Sequence, residues 1–311
     1  MPSNSNPNVD TASMNNSELS PENYRNMSDL PLDVTLMILK KIGAVEILES
    51  VQFVCKMLYN LCKEPSIWRT IHILNLDEPN RDIKHEKMLF NAIDRSDGGL
   101  IDLDIEGFGS DQLCSYFASR SSQLRRLRLA YCQDISANAV AEALEKLTSL
   151  EGLELTGCSF QLHTIATVIN SCPSLVTTFI FNKVGSLNPC HYPDFLSSYQ
   201  PCDEEAFAIA GSMPELRHLQ LMKNNITNVG LTAILDACPH LQSLHLYSCF
   251  YLYHREENLR KRLSEQVNDL QELPYENYDE VHSDYSEDYA SDDETALYYT
   301  SKIIRALHGQ D

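Results

Sequence analysis

Residues 124–158 read LRRLRLAYCQDISANAVAEALEKLTSLEGLELTGC. The stretch holds an L-x-x-L-x-L core at Leu124, Leu127 and Leu129, a cysteine at Cys132 and a helix-like run, ANAVAEALEKL. The core then returns at Leu150, Leu153 and Leu155, with Cys158 in the corresponding place. A period of two marks a strand and three-and-four spacing marks a helix, so one unit reads strand, turn, helix, turn. Working outward, cores begin at Leu100, Leu124, Leu150, Leu175, Leu216 and Leu241, at intervals of 24, 26, 25, 41 and 25 residues. Eight residues after four of these starts stand Cys132, Cys158, Asn224 and Cys249, while the other two have Phe108 and Lys183. Pro173, Pro214 and Pro239 each lie two residues before the next core, where a helix has to end. A unit of this kind cannot bury its own apolar face, but stacked neighbours share one continuous core. The pattern predicts an α/β fold, a leucine-rich-repeat horseshoe of about six repeats over residues 98–252 with parallel strands.

The long interval carries extra residues near 184–200, VGSLNPCHYPDFLSSYQ, which read as an inserted loop. Beyond the repeats, ENLRKRLSEQVNDLQEL within 253–273 reads as a polar-faced capping helix. Residues 274–311 follow as an acidic, largely disordered tail. Ser283, Ser286 and Ser291 stand among its acids, a setting open to an acidophilic kinase, although solubilising charge is the simpler reading. Residues 1–27 are polar and read as disordered, and hydrophobic periodicity begins at Leu30. In LPLDVTLMILKKIG, Val34, Ile38 and Ile42 recur every fourth residue, Pro31 suits a first helical turn and Gly43 a stop. A second apolar stretch runs from Val45 to Cys62, and with Trp68 it makes residues 28–72 a small helical cluster. Residues 73–97 connect it to the solenoid through a linker and a helix.

Forty-four Asp and Glu against 24 Lys and Arg give a net charge of −20, which repels phosphate backbones and anionic lipid. Nucleic acid and membrane surfaces are therefore not expected partners, and a protein is. Nine of the acids fall in residues 274–295, which contain no Lys or Arg. The 11 glycines are few for a fold built on glycine-rich phosphate loops. With no long apolar run and no signal core, the chain reads as intracellular, in the nucleus, the cytoplasm or both, and its ten cysteines as free thiols. Cys190, His191 and Cys202 lack a C-x-x-C pair and a fourth ligand, so neither a metal nor any other cofactor is expected. No P-loop, H-E-x-x-H or G-x-S-x-G motif occurs, and the expectation is a protein without catalytic residues.

The segment from Leu30 to Trp68 resembles an F-box: L-P, I-L at Ile38 and Leu39, V-C-K at Val54 to Lys56, and E-P-S-I-W-R at Glu64 to Arg69. With the cysteine-type repeats and the runs R-S-D-G-G-L, L-R-R-L-R-L and M-P-E-L-R-H-L-Q-L, the chain resembles plant F-box/LRR-repeat proteins of the Skp-interacting type. The resemblance implies the substrate-recognition subunit of a Skp–cullin–F-box ubiquitin ligase. Its F-box would bind the Skp adaptor, and through it the cullin and RING subunits, while its repeats hold an unknown protein substrate. Carried over by position, Leu30, Pro31, Val34, Ile38, Leu39, Val54 and Cys55 form or support the adaptor-facing surface, and Trp68 anchors the cluster. The chain departs from the family at Leu58, where a tryptophan is usual. That loss of aromatic contact implies weaker adaptor binding, restored by Leu58→Trp. The alternative is a repeat scaffold whose degenerate F-box assembles no ligase.

Within each core the residues at offsets three and five face inward, and those at two, four and six face the concave surface. Counted this way, the exposed rows are Asp102, Asp104, Glu106; Arg126, Arg128, Ala130; Gly152, Glu154, Thr156; Thr177, Phe179, Phe181; His218, Gln220, Met222; and Ser243, His245, Tyr247. Phe179, Phe181, His218, Met222, His245 and Tyr247 are the expected substrate-docking residues, since aromatics and Met are enriched at interface centres. For the two phenylalanines, packing beneath the inserted loop is an open alternative. The facing acidic and basic rows are expected to neutralise each other across adjacent strands.

Overall fold

A computed structural model describes residues 30–74, 82–158, 160, 166, 168–172, 176–183, 201–252 and 257–273. The N-terminal 29 residues, Leu175, the insert with Cys190 and His191, and the acidic tail with its serines lie outside the described residues.

Three short helices open the fold: α1 (Leu32–Leu39), α2 (Ala44–Glu49) and α3 (Lys56–Leu61). Single 3-10 turns at Val51–Phe53 and Pro65–Ile67 connect and close them. The second apolar stretch is thus broken into pieces: Ser50 leaves helical geometry, and Cys55 is extended and caps α3, its sulfur accepting from the Leu58 amide. Gly43, read as a stop, instead precedes α2 as its N-cap residue, and α1 ends earlier at Leu39. Trp68 is buried, and its indole N–H donates to the Cys62 carbonyl at 2.9 Å.

Eight parallel strands then form one sheet in sequence order: β1 (Thr70–Leu74), β2 (Asp102–Glu106), β3 (Arg126–Ala130), β4 (Gly152–Thr156), β5 (Thr178–Asn182), β6 (His218–Met222), β7 (Ser243–Tyr247) and β8 (Asp269–Leu273). The helices α4 (Asp82–Arg95), α5 (Asp111–Arg120), α6 (Ala137–Leu144), α7 (Glu204–Ser212), α8 (Asn228–Ala237) and α9 (Glu257–Gln266) lie between strands. The sheet exceeds the six cores legible in sequence by one strand at each end. In β1 the inward residues are Ile71 and Ile73, which carry no leucine signature. The predicted cap is α9 followed by β8, because the polar run Asp269–Leu273 adds a ladder to β7. As an edge strand, β8 presents Asp269 and Glu272, charges that discourage further pairing.

The register holds each leucine pair against the next: Leu103, Leu127, Leu153, Phe179, Leu219 and Leu244 align, as do Ile105, Leu129, Leu155, Phe181, Leu221 and Leu246. Phe179 and Phe181 therefore belong to the core face, stacked on each other with ring centroids 6.3 Å apart. The frame that begins at Leu175 is one residue early, and Phe179 and Phe181 are not on the concave face. Val176, Phe179 and Phe181 keep the same spacing as Leu150, Leu153 and Leu155, and Val176 is buried. A one-residue slip inverts every side chain of a strand, so the concave row of β5 is Thr178, Ile180 and Asn182.

Repeats are joined by recurring polar stitches. The thiols of Cys132, Cys158 and Cys249 donate to the carbonyls of Ile105, Leu129 and Leu221 on the preceding strands, at 3.7, 3.5 and 3.6 Å. Asp111 accepts from both the amide and the hydroxyl of Ser136, the residue capping α6. Asp203 does the same for Thr227, the cap of α8. The residue just after a strand takes a left-handed backbone at Gly107, Tyr131, Gly157, Lys223 and Ser248. One apolar cluster runs without interruption from Leu39 to Val267, so helical cluster and solenoid share a core.

Candidate functional site

Two surfaces are candidates, one on the helical cluster and one on the concave face. On the cluster, α1, the Val51–Phe53 turn and α3 turn apolar side chains outward: Leu32 is 59% exposed, Met37 62%, Phe53 72% and Val54 70%, with Tyr59 also exposed. Leu30, Pro31, Val34 and Cys55 are exposed as well, and Ile38 is half-buried. Leu39 is buried, where it supports that surface from beneath, whereas Leu58, expected to face the adaptor, is buried in the core at 2% exposure. A leucine there takes nothing from the outer surface. Leu32, Met37, Phe53 and Tyr59 went unrecognised because apolar residues in a short amphipathic helix read as core until a tertiary arrangement decides which side is covered.

On the concave face, Arg128 is the centre of an ion cluster. Its guanidinium reaches Asp104 at 2.7 Å, Glu106 at 2.8 Å and Glu154 at 2.9 Å. Burial alone would loosen the Arg128 proton, but the three carboxylates hold it well above the ordinary arginine range. Burial likewise pushes the Asp104 carboxyl up, yet the His72 hydrogen bond and the Arg128 charge hold it below its usual value. Arg126 pairs with Asp102 at 2.7 Å. The acidic and basic rows are spent on one another, each charge offsetting the desolvation of its neighbour.

Toward the other end, a buried ladder runs from Thr156 through Asn182 to Gln220, with N–H···O distances of 3.1 and 3.0 Å. Met222 and Tyr247, adjacent in register, form a small apolar pair separate from the main core, and both are nearly covered. The Tyr247 hydroxyl donates to Gln271 at 2.8 Å. His218 is exposed and His245 half-buried, so the expected docking residues divide. His218, His245, Met222 and Tyr247 come together on β6 and β7, whereas Phe179 and Phe181 face the opposite side.

Ser243, His245 and Asp269 invite comparison with a hydrolytic triad. The serine hydroxyl lies 3.1 Å and the carboxylate 3.0 Å from the same ring nitrogen, Nε2. A proton relay needs the acid and the nucleophile on opposite nitrogens, so the trio orders the surface and cannot pass a proton along it. The hydrogen bond from His245 holds the Asp269 carboxyl below its usual range. The thiols of Cys114 and Cys172 are each pushed up to about 12, with burial the main cause, which keeps them protonated and unreactive.

A family model for F-box-like domains matches residues 27–74, and a leucine-rich-repeat model matches residues 213–235. The chain is 43% identical over 248 residues to F-box/LRR-repeat protein 23 of Arabidopsis thaliana, covering 79% of this chain and 53% of that protein. It therefore spans about half the length of that relative. It is 42% identical to the Arabidopsis F-box protein SKIP19 over 78% of this chain and 75% of the relative. To Arabidopsis F-box/LRR-repeat protein 9 it is 38% identical, over 73% of this chain and 89% of the relative. With the helical cluster inside the span that the F-box-like model matches and an eight-stranded solenoid behind it, the chain belongs to the F-box/LRR-repeat family.

Proposed function

We propose that this chain is the substrate-recognition subunit of a Skp–cullin–F-box ubiquitin ligase, with the F-box bound to a Skp-type adaptor and the repeats bound to a protein substrate. The carrying observation is the outward display of Leu32, Met37, Phe53 and Val54 by a cluster whose own core is already closed around Trp68. Large apolar side chains exposed together on a small unit cost solubility unless a protein covers them. The chain supplies no catalytic group in this reading, and ubiquitin transfer belongs to the cullin-bound RING subunit and its conjugating enzyme. Among the described residues no helix is long and apolar enough to cross a membrane.

The substrate surface in this reading lies on β5 to β7, where Ile180, His218 and His245 are accessible and the Met222–Tyr247 pair supports them. The ion cluster of β2 to β4 shapes the other half of the face and leaves Arg126 and Arg128 occupied.

The test is a pulldown of the full chain and of Val54→Asp with purified adaptor and cullin. Cullin should be recovered only when adaptor is present, and the variant should lose both while its circular dichroism is unchanged. Well-folded native chain that recovers no adaptor would sink the ligase reading.

A further inference from the structure

The stitch from Asp111 to Ser136, between α5 and α6, recurs from Asp203 to Thr227, between α7 and α8, and sets the two helix pairs in register. Counted from it, Phe207 stands where Ser115 stands, and Val229 where Asn138 stands. All four are exposed, but the earlier pair is polar and the later pair apolar, Phe207 at 52% exposure and Val229 at 64%. The fold therefore does not require large apolar side chains at these places. Both line one groove of about 430 Å³ on α7, α8 and α9, together with the more covered Thr232, Ala233 and Leu259. Exposed apolar side chains gathered at a groove mark a contact. The groove also carries negative charge. Asp236 lines it, held by Arg262 at 2.6 Å but still open to solvent, and the exposed Glu204 lies one turn before Phe207 on α7.

Beyond β8 the sequence changes sign. Residues 274–295 hold nine acids and no Lys or Arg, whereas residues 296–308, ALYYTSKIIRALH, hold Lys302 and Arg305 and no acid. Tyr299, Ile303 and Leu307 recur every fourth residue, the spacing of one apolar helix side, and Lys302 and Arg305 fall outside it. The 23 residues between Leu273 and Leu297 can span roughly 75 Å, so reach does not limit which side of the solenoid this run meets. The insert at residues 184–200 is nearer in the chain but has no Lys or Arg to offer the carboxylates. We infer that the groove on α7, α8 and α9 is a docking site for the chain's own residues 296–308. Tyr299, Ile303 and Leu307 pack against Phe207 and Val229, and Lys302 and Arg305 turn toward Glu204 and Asp236. A few anchors at helical spacing laid in an apolar groove are a general mode of peptide recognition. The inference needs neither adaptor nor substrate and is independent of the ligase reading. Its consequence is that the acidic stretch 274–295 is tethered at both ends beside the last repeats.

Lys302 and Arg305 are the only tryptic sites after Arg262, so limited trypsin digestion of the full chain reads the docking directly. The double variant Phe207→Ser/Val229→Asn restores the polar residues of the earlier repeat and should keep the native circular dichroism. Cleavage tracks the undocked population, and at Lys302 and Arg305 it should be at least about fivefold slower in the native chain than in the double variant. Ile83→Ser removes an exposed apolar side chain from α4 and should be cut as the native chain is. A second reading places the photo-crosslinker p-benzoylphenylalanine at position 207, where it should join residues 296–308 of the same chain at every protein concentration. Equal cleavage of native chain and double variant overturns the inference, as does an Ile83→Ser that is cut as fast as the double variant. A crosslink that misses residues 296–308 also overturns it, giving the groove to the insert if it falls in 184–200 and to a second copy if it joins two chains.

Discussion

Leu58 is buried in the core of the F-box, and its burial decides what a substitution there does. A tryptophan is far larger than the space a leucine fills in a packed core, and forcing in extra volume costs about 1–3 kcal/mol. Leu58→Trp is therefore expected to lower stability by roughly that amount and leave adaptor affinity no tighter than native. Chemical denaturation and an adaptor titration measure the two quantities separately, and a tighter complex would return Leu58 to the interface. The residues exposed on the F-box are instead Leu30, Pro31, Leu32, Val34, Met37, Phe53, Val54 and Cys55, with Tyr59. The resemblance to an F-box implies Leu30, Pro31, Val34, Val54 and Cys55 among them, but the sequence could not tell the outer side from the inner.

At the scale of one element, the repeat turn shows how a fold tolerates local strain. Its first residue is left-handed in five repeats, and in two of those it is glycine, Gly107 and Gly157. Ser248 occupies the same place with φ of 53°, and its hydroxyl is buried with no hydrogen-bond partner among the described residues. A side chain in this region costs about 1–2 kcal/mol, part of which glycine gives back through its greater freedom in the unfolded chain. Ser248→Gly is thus expected to stabilise the protein by about 1 kcal/mol, with removal of the unpaired hydroxyl adding to the gain. A higher denaturation midpoint at unchanged slope checks it, and a lower midpoint would mean that the serine has a partner role. The same turn explains why Lys183 is not a ladder residue. Counted from Val176 it falls on the turn position, and its ammonium instead holds Glu205 of the following helix at 2.8 Å.

At the scale of the whole molecule, the F-box and the solenoid unfold together or apart according to the junction between them. Arg95, at the end of α4, crosses that junction: it donates to Gln52 and to the Cys62 carbonyl, and its guanidinium lies 5.3 Å from the centre of the Trp68 ring. Charged hydrogen bonds with a cation–π contact make the junction worth about 2 kcal/mol. Trp68 is the only tryptophan, so its fluorescence reads the F-box, while circular dichroism reads the whole chain. In the native protein the two signals should melt together, as one continuous core requires. In Arg95→Ala the fluorescence transition should come first, and coincident transitions in the variant would show that the apolar core alone couples the parts.

The sequence by itself determined the repeat and its parallel horseshoe through the periodicity of apolar residues, and it carried the family and the F-box through the resemblance of linked local motifs. It also made the acidic and basic rows of β2 and β3 legible as mutual partners, since their leucine frame is unambiguous. Only the tertiary structure decided the register of β5. There the apolar run Val176, Phe179 and Phe181 sits one residue away from the frame begun at Leu175, and cross-strand pairing with Leu153 and Leu155 selects between the two. Only the tertiary structure added β1 and β8, whose sequences lack a leucine core and become strands because a neighbouring edge offers hydrogen bonds. The same holds for the two candidate surfaces. Whether an apolar side chain is core or contact depends on what packs over it, and that is settled between elements far apart in the chain.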